Sequence, residues 1–98
     1  MADQNKVKEL FHSTGELLYR LELKCGLPHG LEETWAQPGI LTQRAHFHEG
    51  QLHGSYESWW SNGKPKERGA YASGRKVGVY FWYDTSGNVL SQHDFGVA

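Results

Sequence analysis

The sequence predicts an all-β protein, a curved single-layer antiparallel meander of about four repeated β-hairpins. Three observations carry that expectation. Gly15, Gly39, Gly63 and Gly87 are 24 residues apart, as are Gly26, Gly50 and Gly74, and Gly30, Gly54 and Gly78. A fixed period of this length marks repeated supersecondary units. Apolar residues keep the same step: Phe11, Trp35, Trp59 and Tyr83; Leu23, Phe47, Tyr71 and Phe95; Leu17, Leu41, Pro65 and Val89. Between the glycines no apolar stripe of helical period survives.

The units are read in order as 1–25, 26–49, 50–73 and 74–98, all within one domain. The first is a worn hairpin that keeps Phe11, the turn at Gly15 and a second strand; Asn5 and Lys6 stand near the phases where its leading glycines would fall. Unit 50–73 is the clearest. A β-favouring run at 55–60 leads into the turn cluster Ser61-Asn62-Gly63-Lys64, and a second run follows from 65 to 71. The turn recurs as Gln37-Pro38-Gly39-Ile40 and Thr85-Ser86-Gly87-Asn88. A glycine there suits a hairpin closed by a G1-type bulge. The second connection, 50–54, is echoed at 26–30 and 74–78. Its first glycine is expected in the left-handed turn, and its second where a neighbouring ring lies on bare backbone. Two strands of about five to seven residues and two tight turns fill the period.

Strand side chains alternate between faces. The repeated apolar columns are assigned to the core face: Phe11/Trp35/Trp59/Tyr83 with Glu9/Glu33/Glu57/Phe81 on the first strands, and the leucine and Leu23/Phe47/Tyr71/Phe95 columns on the second. The opposite face then carries Arg20, Arg44 and Arg68 in one column. Tyr56 and Tyr80, Trp82, and Trp60 stand on the same side. Residues that vary between units are where repeat proteins carry specificity, and Arg, Trp and Tyr are common interface anchors. Arg20, Arg44, Arg68, Tyr56, Trp60, Tyr80 and Trp82 are therefore the candidate partner-binding residues. A register slip of one residue would exchange the faces. Trp35, Trp59 and Tyr83 would then line the groove and are the second candidates.

Composition removes several function classes. Ten Lys and Arg against eleven Asp and Glu give a net charge of −1, without the positive excess of a nonspecific nucleic-acid or polybasic membrane binder. Cys25, alone of its kind, excludes an internal disulfide and fits a reducing compartment. Residues 1–6 lack the apolar core of a signal peptide, and no run approaches the ~20 apolar residues of a membrane span. A cytoplasmic domain is the expectation. Six histidines invite a metal reading, with Cys25, His29, His46 and His48 as a conceivable set. No tight ligand motif accompanies them, and no metal or cofactor is expected. No nucleophile stands in a recognisable catalytic context, so no enzyme is expected.

Gly-x-x-x-Gly-x-Tyr-x-x-Trp-x-x-Asn-Gly, from Gly50 to Gly63, resembles the MORN repeat, and 74–89 resembles it nearly as well. Unit 26–49 departs from it, with Glu32 in the tyrosine place and Pro38 in the asparagine place. The likeness is greatest to a bacterial variant found in antitoxin and immunity components. The resemblance implies a hairpin array without catalysis that binds another protein, a toxin or effector, and occludes it. The alternative is a scaffold that self-associates through its open sheet edges. Nucleic acid and membrane are not expected partners.

Overall fold

The computed structural model describes residues 5–37 and 39–97. Pro38, in one of the turn clusters, and residues 1–4 lie outside them. Eight strands follow one another: β1 (Asn5–Phe11), β2 (Leu17–Lys24), β3 (Leu27–Gln37), β4 (Ile40–His48), β5 (Gln51–Trp59), β6 (Pro65–Ala72), β7 (Arg75–Tyr83) and β8 (Val89–Asp94). They form one open antiparallel sheet in sequence order, β1 to β8. The all-β meander expected from the glycine period is the observed architecture. Its extents are 46 × 38 × 10 Å, one layer thick.

The two turn classes follow from their residues. At the first, the N–H of Gly63 donates to Trp60 O at 2.9 Å and the N–H of Trp60 to Lys64 O at 2.8 Å. The same pair of bonds closes the turns at Gly15 and Gly87. Gly63 has φ 88°, which a side chain would strain. The second class is shorter than the sequence suggested. Cys25-Gly26, Glu49-Gly50 and Ser73-Gly74 are two-residue connections with positive φ at both positions, the signature of a type I′ turn. Gly54 therefore lies inside β5, not in a loop, and strands grow to as many as 11 residues. Of the three in-strand glycines of this class, only Gly54 has a ring residue near the place of its missing side chain, and nothing lies within 4 Å of that place at Gly78. Glu22 lies over Gly30 and His46 over Gly54.

The G1-type bulge decides which residues share a face. Ser58 pairs with Glu67, but Trp59 pairs with Pro65, leaving Lys66 unmatched. One extra residue reverses the alternation between 65 and 67. The Pro65 column thus stays with Trp59, while Tyr71 moves to the other side. Both assignments made for the second strands are corrected by this bulge. Arg20, Arg44 and Arg68 share a face with Trp35, Trp59 and Tyr83, and the Leu23/Phe47/Tyr71 column shares a face with Tyr56, Tyr80 and Trp82.

The core lies on that second side, called here the tyrosine face. Ala45 and Tyr80 are fully buried, Ser58 is 6% exposed and Leu21 8%. Leu21, Ala45, Gly69 and His93 form one column. Tyr56 lies directly opposite Ala45 and Gly69. The Tyr80 ring covers Gly69 so closely that a Cβ built there overlaps the ring carbons. The accessible surface is 6284 Å², against about 5,700 Å² for a typical folded monomer of this mass. The excess reflects two sheet faces with no second layer over them. Gly69→Ala is expected to lower stability by about 1–3 kcal/mol through overpacking against Tyr80, measured as a reduced urea midpoint at unchanged slope.

Candidate functional site: the two faces of the sheet

The arginine face is built on a row of alternating charge. Glu9, Arg20, Glu33, Arg44, Glu57 and Arg68 pair successively across β1 to β6, and Phe81 and Gln92 complete the row on β7 and β8. Arg44 donates from Nε and Nη2 to one oxygen of Glu33, at 3.2 and 3.1 Å. Arg20 Nε lies 3.9 Å from Glu9, and its Nη1 3.3 Å from Glu22. Arg68 Nε lies 3.6 Å from Glu57. Opposite charges placed directly across strands stabilise a sheet modestly. The row has one open end. Beyond Arg68 stands Phe81 instead of a carboxylate, so its guanidinium, 51% exposed, has an acid on one side only. Trp59, Phe81 and Tyr83 flank that end on the same face, with Phe81 and Tyr83 rings 6.2 Å apart.

The tyrosine face carries a different row. Tyr19 Oη donates to Glu32 Oε2 at 2.7 Å, and Gln43 Nε2 donates to Glu32 Oε1 at 2.8 Å. Tyr56 Oη donates in turn to Gln43 Oε1 at 3.1 Å. Four side chains on β2 to β5 thus form one hydrogen-bonded chain. Further along, Tyr80 Oη donates to Glu67 Oε1 at 3.1 Å. The first junction holds its phenol and acid in swapped places: Tyr19 and Glu32 do what Glu67 and Tyr80 do two strand pairs later. Rings close around these polar groups. Tyr80 lies 4.9 Å from Trp82, 6.1 Å from Tyr71 and 6.2 Å from Phe95, the last two edge-on. Lys76 Nζ lies over the Tyr80, Tyr71 and Phe95 rings at 5.3, 5.7 and 5.9 Å.

Burial raises the pKa of the three phenols, and nearby acids add to it. The Tyr19 hydroxyl is pushed up to about 12 by burial and then by its bond to Glu32. Tyr80 rises further, through burial and then its neighbours Tyr71 and Glu67. Tyr56 rises through burial and the field of Glu67. Elsewhere, the Leu31 N–H holds the Glu22 carboxyl below its usual range, donating to Oε1 at 2.7 Å.

The sequence candidates therefore divide. Tyr56 and Trp82 are half-buried on the tyrosine face, and Tyr80 beside them is sealed in. The arginines sit on the other face with Trp35, Trp59 and Tyr83. Trp60 belongs to neither face. Its Nε1 donates to Asp84 O at 3.0 Å, tying successive turns together, and Lys66 Nζ lies 4.9 Å over its ring. Sequence reading missed Glu67, Tyr19 and Gly69. The exchange of Tyr19 and Glu32 between neighbouring strands was the available signal for the first two.

The histidines form part of the turn edge. His29 and His53 each accept, at Nδ1, an N–H from the next turn, Glu49 and Ser73 respectively, both at 3.1 Å. His48 stands between them, with ring distances of 4.8 and 5.9 Å. His46 turns away to Ser55, so the four-residue set with Cys25 is not assembled. Among the described residues no cluster of three His, Cys, Asp or Glu is arranged to hold a metal ion. No helix of the described residues is long and apolar enough to cross a membrane.

A family model described as a MORN repeat variant matches two consecutive stretches. Residues 52–72 and 76–95 match the MORN repeat variant. These stretches are β5–β6 and β7–β8, the hairpins where Tyr56 and Tyr80 stand in the repeat's tyrosine place. No curated protein and no solved structure matches the chain. The MORN repeat is a non-catalytic repeat module, often one that binds.

The phenol shifts set an alkaline limit. A raised folded value means that stability from Tyr19 is fully present below pH 10 and is lost as pH climbs toward 12. Denaturation midpoints should fall across that window in step with phenolate absorbance, and Tyr19→Phe should flatten part of the fall.

Proposed function

We propose that the chain is a non-catalytic protein-binding module that acts as an antitoxin or immunity component, covering a partner toxin. The observation that carries this reading is the open end of the charge row. Arg68 there has a carboxylate on one side only and stands among Trp59, Phe81 and Tyr83. Arginine beside uncovered rings is the composition of interface anchors. A hydrogen-bonded sheet is already in its binding shape, so docking costs little ordering entropy. Arg20 and Arg44 extend the same surface, with Trp35 along it, but their charges are offset by the glutamates beside them. The partner face that suits Arg68 is acidic and flat enough to lie against the rings. The MORN repeats support a binding role, and the toxin partner rests on the likeness of these units to immunity-type repeats.

The test is co-purification with the product of a neighbouring reading frame, followed by titration of variants. Arg68→Glu is expected to weaken the complex about 30-fold, as hot-spot loss does, while the melting temperature stays within a few degrees. Arg44→Glu should instead cost stability, because it leaves Glu33, whose side chain is 14% exposed, beside a second carboxylate. Unchanged affinity in both Arg68→Glu and Trp59→Ala would remove this face from the interface.

A second reading has its own observation. Every residue of β1 and β8 is exposed. Val7, Leu10, Phe11, Val89, Leu90, Phe95 and Val97 make up most of the exposed large apolar side chains among the described residues. Unpaired edges with apolar side chains favour strand addition by another copy. Light scattering at two concentrations separates the readings, since edge pairing raises the mean mass with concentration.

A further inference from the structure

One edge of the sheet is fastened by rings that change charge near neutrality. Each of the two middle type I′ turns is tied back to a dipeptide near the start of an earlier strand, Pro28-His29 in β3 and Leu52-His53 in β5. The Gly50 N–H donates to Pro28 O and the Gly74 N–H to Leu52 O, both at 2.8 Å. The residue ahead of each glycine donates to an imidazole: Glu49 to His29 Nδ1 and Ser73 to His53 Nδ1, both at 3.1 Å. Glu49 and Ser73 have φ of 49° and 48°, a left-handed conformation uncommon for residues with a side chain. The imidazole bonds thus secure the two positions of these turns that are hardest to hold.

A ring nitrogen that accepts an N–H must carry no proton, so the hydrogen of each neutral ring sits on Nε2. An imidazolium has a hydrogen on both nitrogens. Its Nδ1–H would then face the turn N–H, donor against donor, and the bond is lost. His48 stands between the two rings, at 4.8 and 5.9 Å. Its Nε2 lies 3.3 Å from Glu49 Oε1, a carboxylate that favours the charged form of His48 and so sets a positive charge beside both catches. Other charged groups surround the row. Lys6 of β1 and Glu22 and Lys24 of β2 line the hollows beside His29, with Glu22 engaged by the Leu31 N–H and Arg20. His46 of β4 is turned to Ser55, and Arg75 of β7 pairs with Ala72, next to the Ser73 turn.

We propose that the His29–His48–His53 row is a pH-sensitive catch: neutral rings hold the Glu49 and Ser73 turns down, and protonation releases them. The Gly50 and Gly74 bonds go to carbonyls and survive, so the response is a loosening of one edge and not unfolding. The catch belongs to the middle turns, since Asn5 stands in the histidine's place for the Cys25-Gly26 turn. It uses none of the residues assigned to the partner face and does not rest on that role.

The experiment is an NMR titration of the full chain between about pH 8 and 5, the range in which histidine changes charge. At the upper end, long-range nitrogen–proton spectra should show His29 and His53 as the Nε2–H tautomer. On acidification the Glu49 and Ser73 amide shifts should follow the ring carbons of His29 and His53. Their exchange protection factors, which discount the intrinsic effect of pH, should fall roughly three- to tenfold, the loss of one hydrogen bond. Gly50 and Gly74 should keep most of theirs. His29→Asn should abolish the response at Glu49 and leave that at Ser73, and His53→Asn the reverse. An Nδ1–H tautomer at the upper end, constant protection of Glu49 and Ser73, or an equal loss at Gly50 and Gly74 would each overturn the proposal, without need of any variant. So would an unaltered response in the two asparagine variants.

Discussion

A sheet with a thickness of 10 Å has no second layer to pack against. Each side chain must find its partner sideways, on the strand before or after its own. That constraint explains why this protein is organised in rows across strands. Hydrophobic burial is concentrated at a few points, chiefly where Tyr80 covers Gly69 and where Ala45 lies opposite Tyr56. Elsewhere the rows are held by complementary polar groups. Glutamate alternates with arginine on one side, and phenol alternates with acid or amide on the other. Each pair contributes modestly, and the alternation makes one bond lead to the next.

The same constraint ties structure to binding. In a two-layer domain the ring-rich side of a sheet is consumed by the core. Here both sides remain open, and a row can stop short of full pairing without unfolding the molecule. The charge row stops at Phe81, leaving Arg68 with a single acid. That break falls between the two hairpins that match the MORN repeat variant.

Much of this architecture was legible in the sequence because glycine has a local reason to recur. The φ of 88° at Gly63 is a property of one turn, and a repeated turn writes a repeated glycine. The strands, their order and the first turn class follow from that alone. The face assignment did not, because it depends on Lys66, a residue with no mark of its own. Counting alternation through it places Arg68 with Tyr56, whereas the bulge puts it with Trp59. Gly69 was also silent. It lies outside the repeating glycine phases, and its role appears only when the Tyr80 ring is seen over it. The exchange of Tyr19 and Glu32 hid a recurring interaction behind a broken pattern, since a column-by-column reading compares equivalent positions and not pairs.

Strand order identical to chain order has a mechanical corollary. Every pairing joins neighbours in sequence, so no stretch of chain closes a long loop when it folds. Growth by copying one 24-residue rung adds length without altering any existing junction, as in other linear arrays. The two strands at the ends of that row, β1 and β8, are the ones whose every residue is exposed, so they are where the array has least to hold it.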